Sequence, residues 1–188
     1  SGERCEVERC VARDGGETWL RFIAVPAGGD LVVTFFDLTE RKHRELAMEA
    51  AAAQDPLTGL LNRRGFECDA PALLFRPGGT PRPSALLYVD LDRFKEVNDT
   101  LGHEVGDLLL CEFAARMQRC TRGPDLLARF GGDEFVLLLL ETGVDGALWV
   151  AERLLASSRE PIRIGEQELL CIPSVGIALF PEHGIELK

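Results

Sequence analysis

The sequence predicts an α+β fold, an antiparallel sheet with helices packed on it, preceded by a smaller stranded segment and a connecting helix. Three observations carry this expectation. From Ser84 onward the patterning runs strand, helix, strand-strand, helix, strand-strand. The strand "SALLYVDLD" is apolar on both faces, as a central strand is. Hydrophobic residues make up 46% of 188 residues, enough for one domain of ordinary size plus something smaller.

Taken in order, residues 5–37 read as three short strands. "CEVERCVA" alternates, "TWLRFIAV" follows a turn at Asp14–Gly16, and "DLVVTFFD" follows a second turn at Pro26–Gly29. Three strands of this length bury little core by themselves. A helix starts at Asp37, a good N-cap with Glu40 at N3. Its apolar stripe is thin, so it reads either as a solvated connector or as a helix that pairs with its own copy. Asp55-Pro56 ends it, because the residue before proline resists the α conformation.

"PLTGLLNRRGFE" then reads as a short helical segment and "RPGGTPRP" as a loop. "GHEVGDLLLCEFAARMQRC" is an amphipathic helix with Val105, Leu109, Phe113 and Met117 on one stripe. "DLLARF" and "EFVLLLL" are strands joined at Gly131-Gly132, "GALWVAERLLASSR" is a helix, and the last hairpin turns at Gly165-Glu166.

The net charge is −10 and the isoelectric point about 4.8, which argues against a general nucleic-acid binder. No apolar run approaches the roughly 20 residues of a bilayer span, and "SGERCEVERC" has no signal-peptide pattern. Cys5, Cys10, Cys68, Cys111, Cys120 and Cys171 show neither C-x-x-C pairs nor zinc-like spacing. They read mostly as small buried hydrophobes in a reducing cytoplasm.

The stretch that carries chemistry is "ARFGGDEFVLLLL". In a ferredoxin-like sheet the first strand lies antiparallel beside the third, so Asp90, at the end of "LLYVD", converges with Asp133 and Glu134. Carboxylates gathered at one sheet end repel unless a cation sits among them. An all-oxygen set suits Mg²⁺, with substrate phosphates completing the shell, and glycines alongside let a ligand approach the backbone. That combination suggests phosphoryl or nucleotidyl transfer. Each element also has a plainer reading. Gly-Gly is a hairpin turn, Asp90 and Asp92 are turn-formers, and Asn98 and Asp107 are loop and cap residues.

"RFGGDEF" resembles the signature of the GGDEF family of diguanylate cyclases. "DPLTGLLNRRGF", "VDLDRFKEVNDTLGHEVGDLLL" and "SVGIALFPEHG" are similar to three further motifs of that family, in the same order, across residues 55–184. "FFDLTERKHRE" is similar to the end of a PAS sensor domain running into a signalling helix. The resemblance implies a nucleotidyl-cyclase-like sheet and three parts: PAS strands (1–37), a linker helix (38–54), and a GGDEF domain (55–188). The family continues past "FPEHG" with a helix bearing an A-L-Y-x-A-K-x-x-G-R-N-like stretch and a closing strand, so the last part reads as C-terminally incomplete.

The resemblance also implies an activity, the joining of two GTP molecules into cyclic di-GMP and pyrophosphate by a homodimer using Mg²⁺, with Mn²⁺ as the alternative ion. Carried onto this chain, Asp90 binds metal through its side chain and Leu91 through its carbonyl. Asp133 binds metal and activates the 3′-hydroxyl, and Glu134 supports the second metal. Asn98 and Asp107 read the guanine edge, Gly131 and Gly132 make room for the nucleotide, and Lys95 helps hold phosphates. "RGPD" is similar to the family's R-x-x-D inhibitory site, so Arg122 and Asp125, helped by Arg153, would bind product. The alternative is a catalytically silent module that binds GTP or cyclic di-GMP and regulates an attached phosphodiesterase or other partner.

Overall fold

The computed structural model describes residues 4–13, 16–27 and 30–184. Contacts divide the chain into two units, Ser1–Ala51 and Ala52–Lys188. In the first, β1 (Cys5–Arg13), β2 (Gly16–Ala27) and β3 (Asp30–Asp37) form an antiparallel meander in the order β1-β2-β3. Asp14, Gly15, Gly28 and Gly29, where the sequence places the two turns, lie outside the described residues. Helix α1 (Thr39–Ala52) starts as expected, with Thr39 N–H donating to Asp37 Oδ1 at 2.8 Å. Both faces of β3 are open, with Leu31, Phe35 and Phe36 exposed.

The second unit is built on a sheet of order β10-β5-β7-β6-β4. Its members are β4 (Leu61–Asn62), β5 (Ser84–Leu91), β6 (Leu126–Gly131), β7 (Glu134–Leu140) and β10 (Pro173–Phe180). Four of these strands are antiparallel and ferredoxin-like, with the first beside the third, as the patterning predicts. β4 pairs parallel to β6, so the sheet is mixed rather than wholly antiparallel. Part of the segment expected to be helical forms this edge, and helix α2 (Arg63–Leu74) begins only after it. The cause is Asn62: its Nδ2 donates to the carbonyls of Ala52 and Gln54, both at 2.9 Å, and its Oδ1 caps α2 at Gly65 N–H.

Helices cover both faces. Leu87, Val89, Phe135, Leu137 and Leu139 pack under α4 (His103–Cys120) and α5 (Val144–Ser157), against Phe113, Met117 and Leu154. Val136, Leu138 and Leu140 pack under α2, against Phe66, Ala70 and Leu74. β7 is thus buried on both faces, and each of its large side chains contributes about 1.5–3 kcal/mol of burial. A short helix, α3 (Phe94–Leu101), precedes α4, and the sequence reading did not separate it. The last hairpin consists of β8 (Ile162–Ile164) and β9 (Gln167–Leu169), turning at Gly165-Glu166 as expected, before the chain crosses to β10. All six cysteines are free. Cys120 and Cys171 are buried, but Cys5, Cys10 and Cys68 are exposed, which corrects the expectation that most are core residues. Cys5 and Cys10 lie on the open three-stranded sheet, which has no second layer among the described residues to bury them.

Two polar devices hold this unit. Arg116, only 9% exposed, donates to the carbonyls of Ser157, Glu160 and Pro161 at 2.7, 2.6 and 3.0 Å, closing the end of α5. In the opening loop, Asp55 Oδ1 accepts from Thr58 N–H and Thr58 Oγ1, and both its oxygens accept from Arg129 Nη1. Gly59 sits there at φ +71°, the left-handed region that glycine enters without strain.

Arg116→Met should destabilise the domain by roughly 2–4 kcal/mol, because three carbonyls at the end of α5 lose a donor that is itself buried. Urea unfolding would show a lower midpoint at unchanged slope, and a loss under about 0.5 kcal/mol would contradict this reading. Burial pushes the Asp55 carboxyl up, but Thr58 and Arg129 outweigh it and hold it below the ordinary carboxylate range. A depressed carboxyl stabilises above its unfolded value, and that stability is lost as pH falls through the folded value. Asp55→Asn should therefore be less stable than wild type at neutral pH by about 1 kcal/mol. The gap should close in acid. Parallel stability curves for the two proteins across that range would refute the assignment.

Candidate active site

The site is assembled by the β5–β7 pairing. In that register Asp90 stands opposite Glu134, and Glu134 opens β7 directly after the Gly131-Gly132-Asp133 turn. Asp90, Asp133 and Glu134 are all half-buried. Burial pushes the Asp90 carboxyl above its ordinary range, and the charges of Asp133, Glu134 and Asp92 push the same way. Asp133 and Glu134 are therefore close enough to Asp90 to act on its charge.

Leu91 follows from the same ladder. Asp92 N–H donates to Ile172 O at 2.9 Å, so even-numbered residues of β5 bond toward β10. Leu91 carbonyl then points the other way, toward β7 and the Asp133 turn, just beyond the last paired residues. Asp92 is drawn away from the cluster, accepting from Ser174 Oγ at 2.8 Å, and acts as the turn residue of its plainer reading.

The turn itself is held from below. Arg129 donates through Nε and Nη2 to the Gly132 carbonyl at 2.9 and 2.8 Å while Nη1 grips Asp55. Gly131 and Gly132 have φ of +141° and +52°, and a Cβ on either would meet nothing within 4 Å. Their glycine requirement at this turn is therefore conformational, and the space above them is open. The sequence reading missed Arg129, whose only signal is a strand-end charge two residues before the glycines. It also missed Tyr88. Burial and the neighbouring Glu134 carboxylate raise its phenol, which lies on the acids' face of β5.

The donor set Asp90, Leu91 carbonyl, Asp133 and Glu134 is all oxygen, which suits a hard divalent cation. The repulsion on Asp90 is what such an ion relieves. Among the described residues no group of three His, Cys, Asp or Glu side chains is already closed into a metal cage. The carboxylates form an open set that substrate phosphates and water would complete.

The remaining predicted residues fall in two places. Asn98 on α3 and Asp107 on α4 flank the Gly102 corner, where Gly102 N–H donates to Asn98 O at 2.9 Å. Asp107 is exposed, while Asn98 Oδ1 is buried without a hydrogen-bond partner among the described residues. Lys95 is exposed in the first turn of α3. Arg122 and Asp125 lie in the loop between α4 and β6. There the motif divides: Arg122 is 65% exposed, whereas Asp125 is 1% exposed. Both Asp125 oxygens are taken by main-chain amides, Leu140 N–H at 3.1 Å and Arg122 N–H at 2.9 Å. Arg153 on α5 stacks over Trp149 at 4.7 Å and donates to Arg119 O at 3.1 Å, near the end of α4.

Comparison with known proteins agrees with this architecture. The profile of the diguanylate cyclase GGDEF domain matches residues 52–188. The diguanylate cyclase TpbB of Pseudomonas aeruginosa is 43% identical over 135 residues, covering 70% of this chain and 31% of that protein. The cyclic di-GMP phosphodiesterase PdeR of Escherichia coli K12 is 36% identical over 191 aligned positions, covering 98% of this chain and 29% of that protein. The chain thus spans about a third or less of the curated relatives it matches. A solved structure of the coiled coil and GGDEF domain of DgcB from Caulobacter crescentus, in complex with c-di-GMP, superposes with a TM-score of 0.66. It is 26% identical, over 74% of this chain and 76% of that one. Matched along its second unit by the profile, and sharing the acid-bearing hairpin, this chain belongs to the GGDEF family of diguanylate cyclase domains.

Proposed function

We propose that this domain condenses two GTP molecules into cyclic di-GMP, as one of two facing copies in a homodimer. The observation that carries the reading is the in-register pairing of Asp90 with Glu134 beside Asp133, a cluster of three carboxylates at an open glycine turn in which the neighbours' charges act on Asp90. In the reaction each 3′-oxygen forms a bond to the other nucleotide's α-phosphorus, the bond to the β-phosphate oxygen breaks, and pyrophosphate leaves. Bound Mg²⁺, or Mn²⁺ in its place, would neutralise the carboxylates and the triphosphate and stabilise charge on the transferring phosphorus. Asp90, Asp133, Glu134 and the Leu91 carbonyl would hold it. Asp133 would orient the 3′-hydroxyl and draw on its proton, and Lys95 would add positive charge near the phosphates. Asp107, an exposed acceptor-only carboxylate, suits the N1–H and N2–H₂ donors of guanine, and Asn98 supplies a second polar group beside it. The Gly131 and Gly132 backbone leaves the nucleotide room, and Arg129 keeps the turn in place. Preorganised geometry and electrostatics would supply most of the acceleration.

The strands of residues 1–37 fit the end of a PAS-like sensor and residues 38–54 a linker helix that conveys its state to the domain from residue 55. A site that uses a cellular nucleotide triphosphate fits a cytoplasmic location; no described helix is long and apolar enough to cross a membrane. Product would bind at Arg122, whose exposed guanidinium can fork onto a phosphate or stack on guanine, with Arg153 beside it. Asp125 would shape that loop through its two amide contacts. The second reading, a silent module regulating an attached phosphodiesterase, is favoured by one observation: the match to PdeR runs through both units.

Incubation of the parent protein with GTP and Mg²⁺, read by mass spectrometry, separates the two. The leading reading expects cyclic di-GMP and pyrophosphate. A folded dimer that binds GTP and forms neither would establish the silent module. Asp133→Asn should lower the rate by at least about 100-fold with an unchanged melting temperature. Arg122→Ala should weaken cyclic di-GMP binding in calorimetry by about ten-fold or more, whereas Asp125→Ala should also lower the melting temperature. Full product affinity in Arg122→Ala would remove the inhibitory site from the proposal.

A further inference from the structure

The corner between α3 and α4 holds a glycine with no backbone reason to be one. Gly106 lies in the first turns of α4, is buried, and has ordinary helical backbone rather than a positive φ. Alanine is the better helix former at such a position. What excludes it is a side chain. A Cβ on Gly106 would stand 1.9 Å from Asn98 Oδ1, 3.0 Å from Asn98 Cγ and 3.3 Å from Phe94 Cζ. The Asn98 carboxamide therefore occupies the place of the missing methyl. Its oxygen is buried there without a hydrogen-bond partner among the described residues, a costly state for a polar group that serves only packing.

We infer that Gly106 is a positioning residue for guanine selectivity: its bare Cα seats the oxygen end of the Asn98 carboxamide, which leaves the nitrogen end to meet the base together with Asp107. The inference rests on the guanine-reading role proposed above for Asn98 and deepens it. The geometry also states how a substitution acts. The obstructing atoms are the tip of a rotatable side chain, not backbone, so a methyl at position 106 turns Asn98 out of place without breaking the corner. Asp107, one residue on, stays on the exposed side of α4. Base recognition then loses one of its two groups while the carboxylate cluster on the sheet is untouched.

The test is a double-mutant cycle on the full chain, with Mg²⁺-GDP as the probe because it carries the base and cannot condense, and Mg²⁺-ADP as the control. Calorimetry should show Asn98→Ala and Gly106→Ala each weakening GDP by roughly ten-fold, with the preference over ADP falling in step. The double variant should bind no more weakly than Asn98→Ala alone, since with the carboxamide gone the methyl has no base-reading group to displace and meets only the Phe94 ring edge at 3.3 Å. Additive losses would overturn the inference, because Gly106 would then act on its own. Unchanged GDP affinity in Gly106→Ala, against a loss in Asn98→Ala, would overturn it while leaving the role of Asn98 intact. Unchanged affinity in Asn98→Ala would remove both. Thermal melts accompany the four proteins. If Gly106→Ala does not fold, a double variant that folds and binds like Asn98→Ala still supports the seat, and a double variant that also fails to fold overturns it.

Discussion

Everything at the candidate site depends on holding like charges together. Burial and the charges of Asp133 and Glu134 raise the proton affinity of Asp90, and nothing in the electrostatics of the three acids favours the arrangement. The force that assembles them is hydrophobic and lies one residue away. β7 from Phe135 to Leu140 is buried on both faces and pairs with β5 along its whole length, so the register of Asp90 against Glu134 is fixed by the core. A slip of one residue would turn Phe135, Leu137 and Leu139 off the α4–α5 face. The cost of that slip is far larger than the repulsion among three half-exposed carboxylates, so packing wins and the acids remain poised for a cation.

A second constraint acts on the turn. Gly131 and Gly132 are open to any ligand, and an unsupported Gly-Gly turn would wander. Arg129 removes that freedom by gripping the Gly132 carbonyl with one side of its guanidinium and Asp55 with the other. Asp55 in turn organises the loop into which α1 leads, through Thr58 and the Leu60 carbonyl. A polar chain thus runs from the start of the second unit to the backbone beside the clustered acids. Every link in it is a hydrogen bond of 3.2 Å or less, the kind of contact that transmits a small displacement instead of absorbing it.

Much of this was legible in the sequence, and what was not shares a cause. The two-faced apolar runs gave β5 and β7, and their order gave the ferredoxin-like neighbours, so the meeting of Asp90 with Asp133 and Glu134 could be expected before any coordinates. Helix α3 was hidden because eight residues with a left-handed Arg93 at the start and Gly102 at the end offer a periodicity signal too few turns in length. The β4 edge was hidden because its two residues are set by where Asn62 finds carbonyls, a long-range fact. Arg129 and Gly106 were missed for the same reason. Each matters through one partner distant in sequence, and a single chain displays no sign of that partner.

The R-x-x-D loop shows how far a motif can mislead about the division of labour. Four residues suggest two ligands, an arginine and an aspartate, equally available. The fold spends Asp125 on the amides of Leu140 and Arg122 and leaves it 1% exposed, while Arg122 stands 65% exposed above it. The aspartate is what shapes the loop, and the shaped loop is what offers the arginine. Leu140 is the last residue of β7, so the loop that presents Arg122 is fastened to one end of the strand whose other end is Glu134. An anion that pulled on Arg122 would load that fastening directly, and the buried strand between is too well packed to bend without moving as a body.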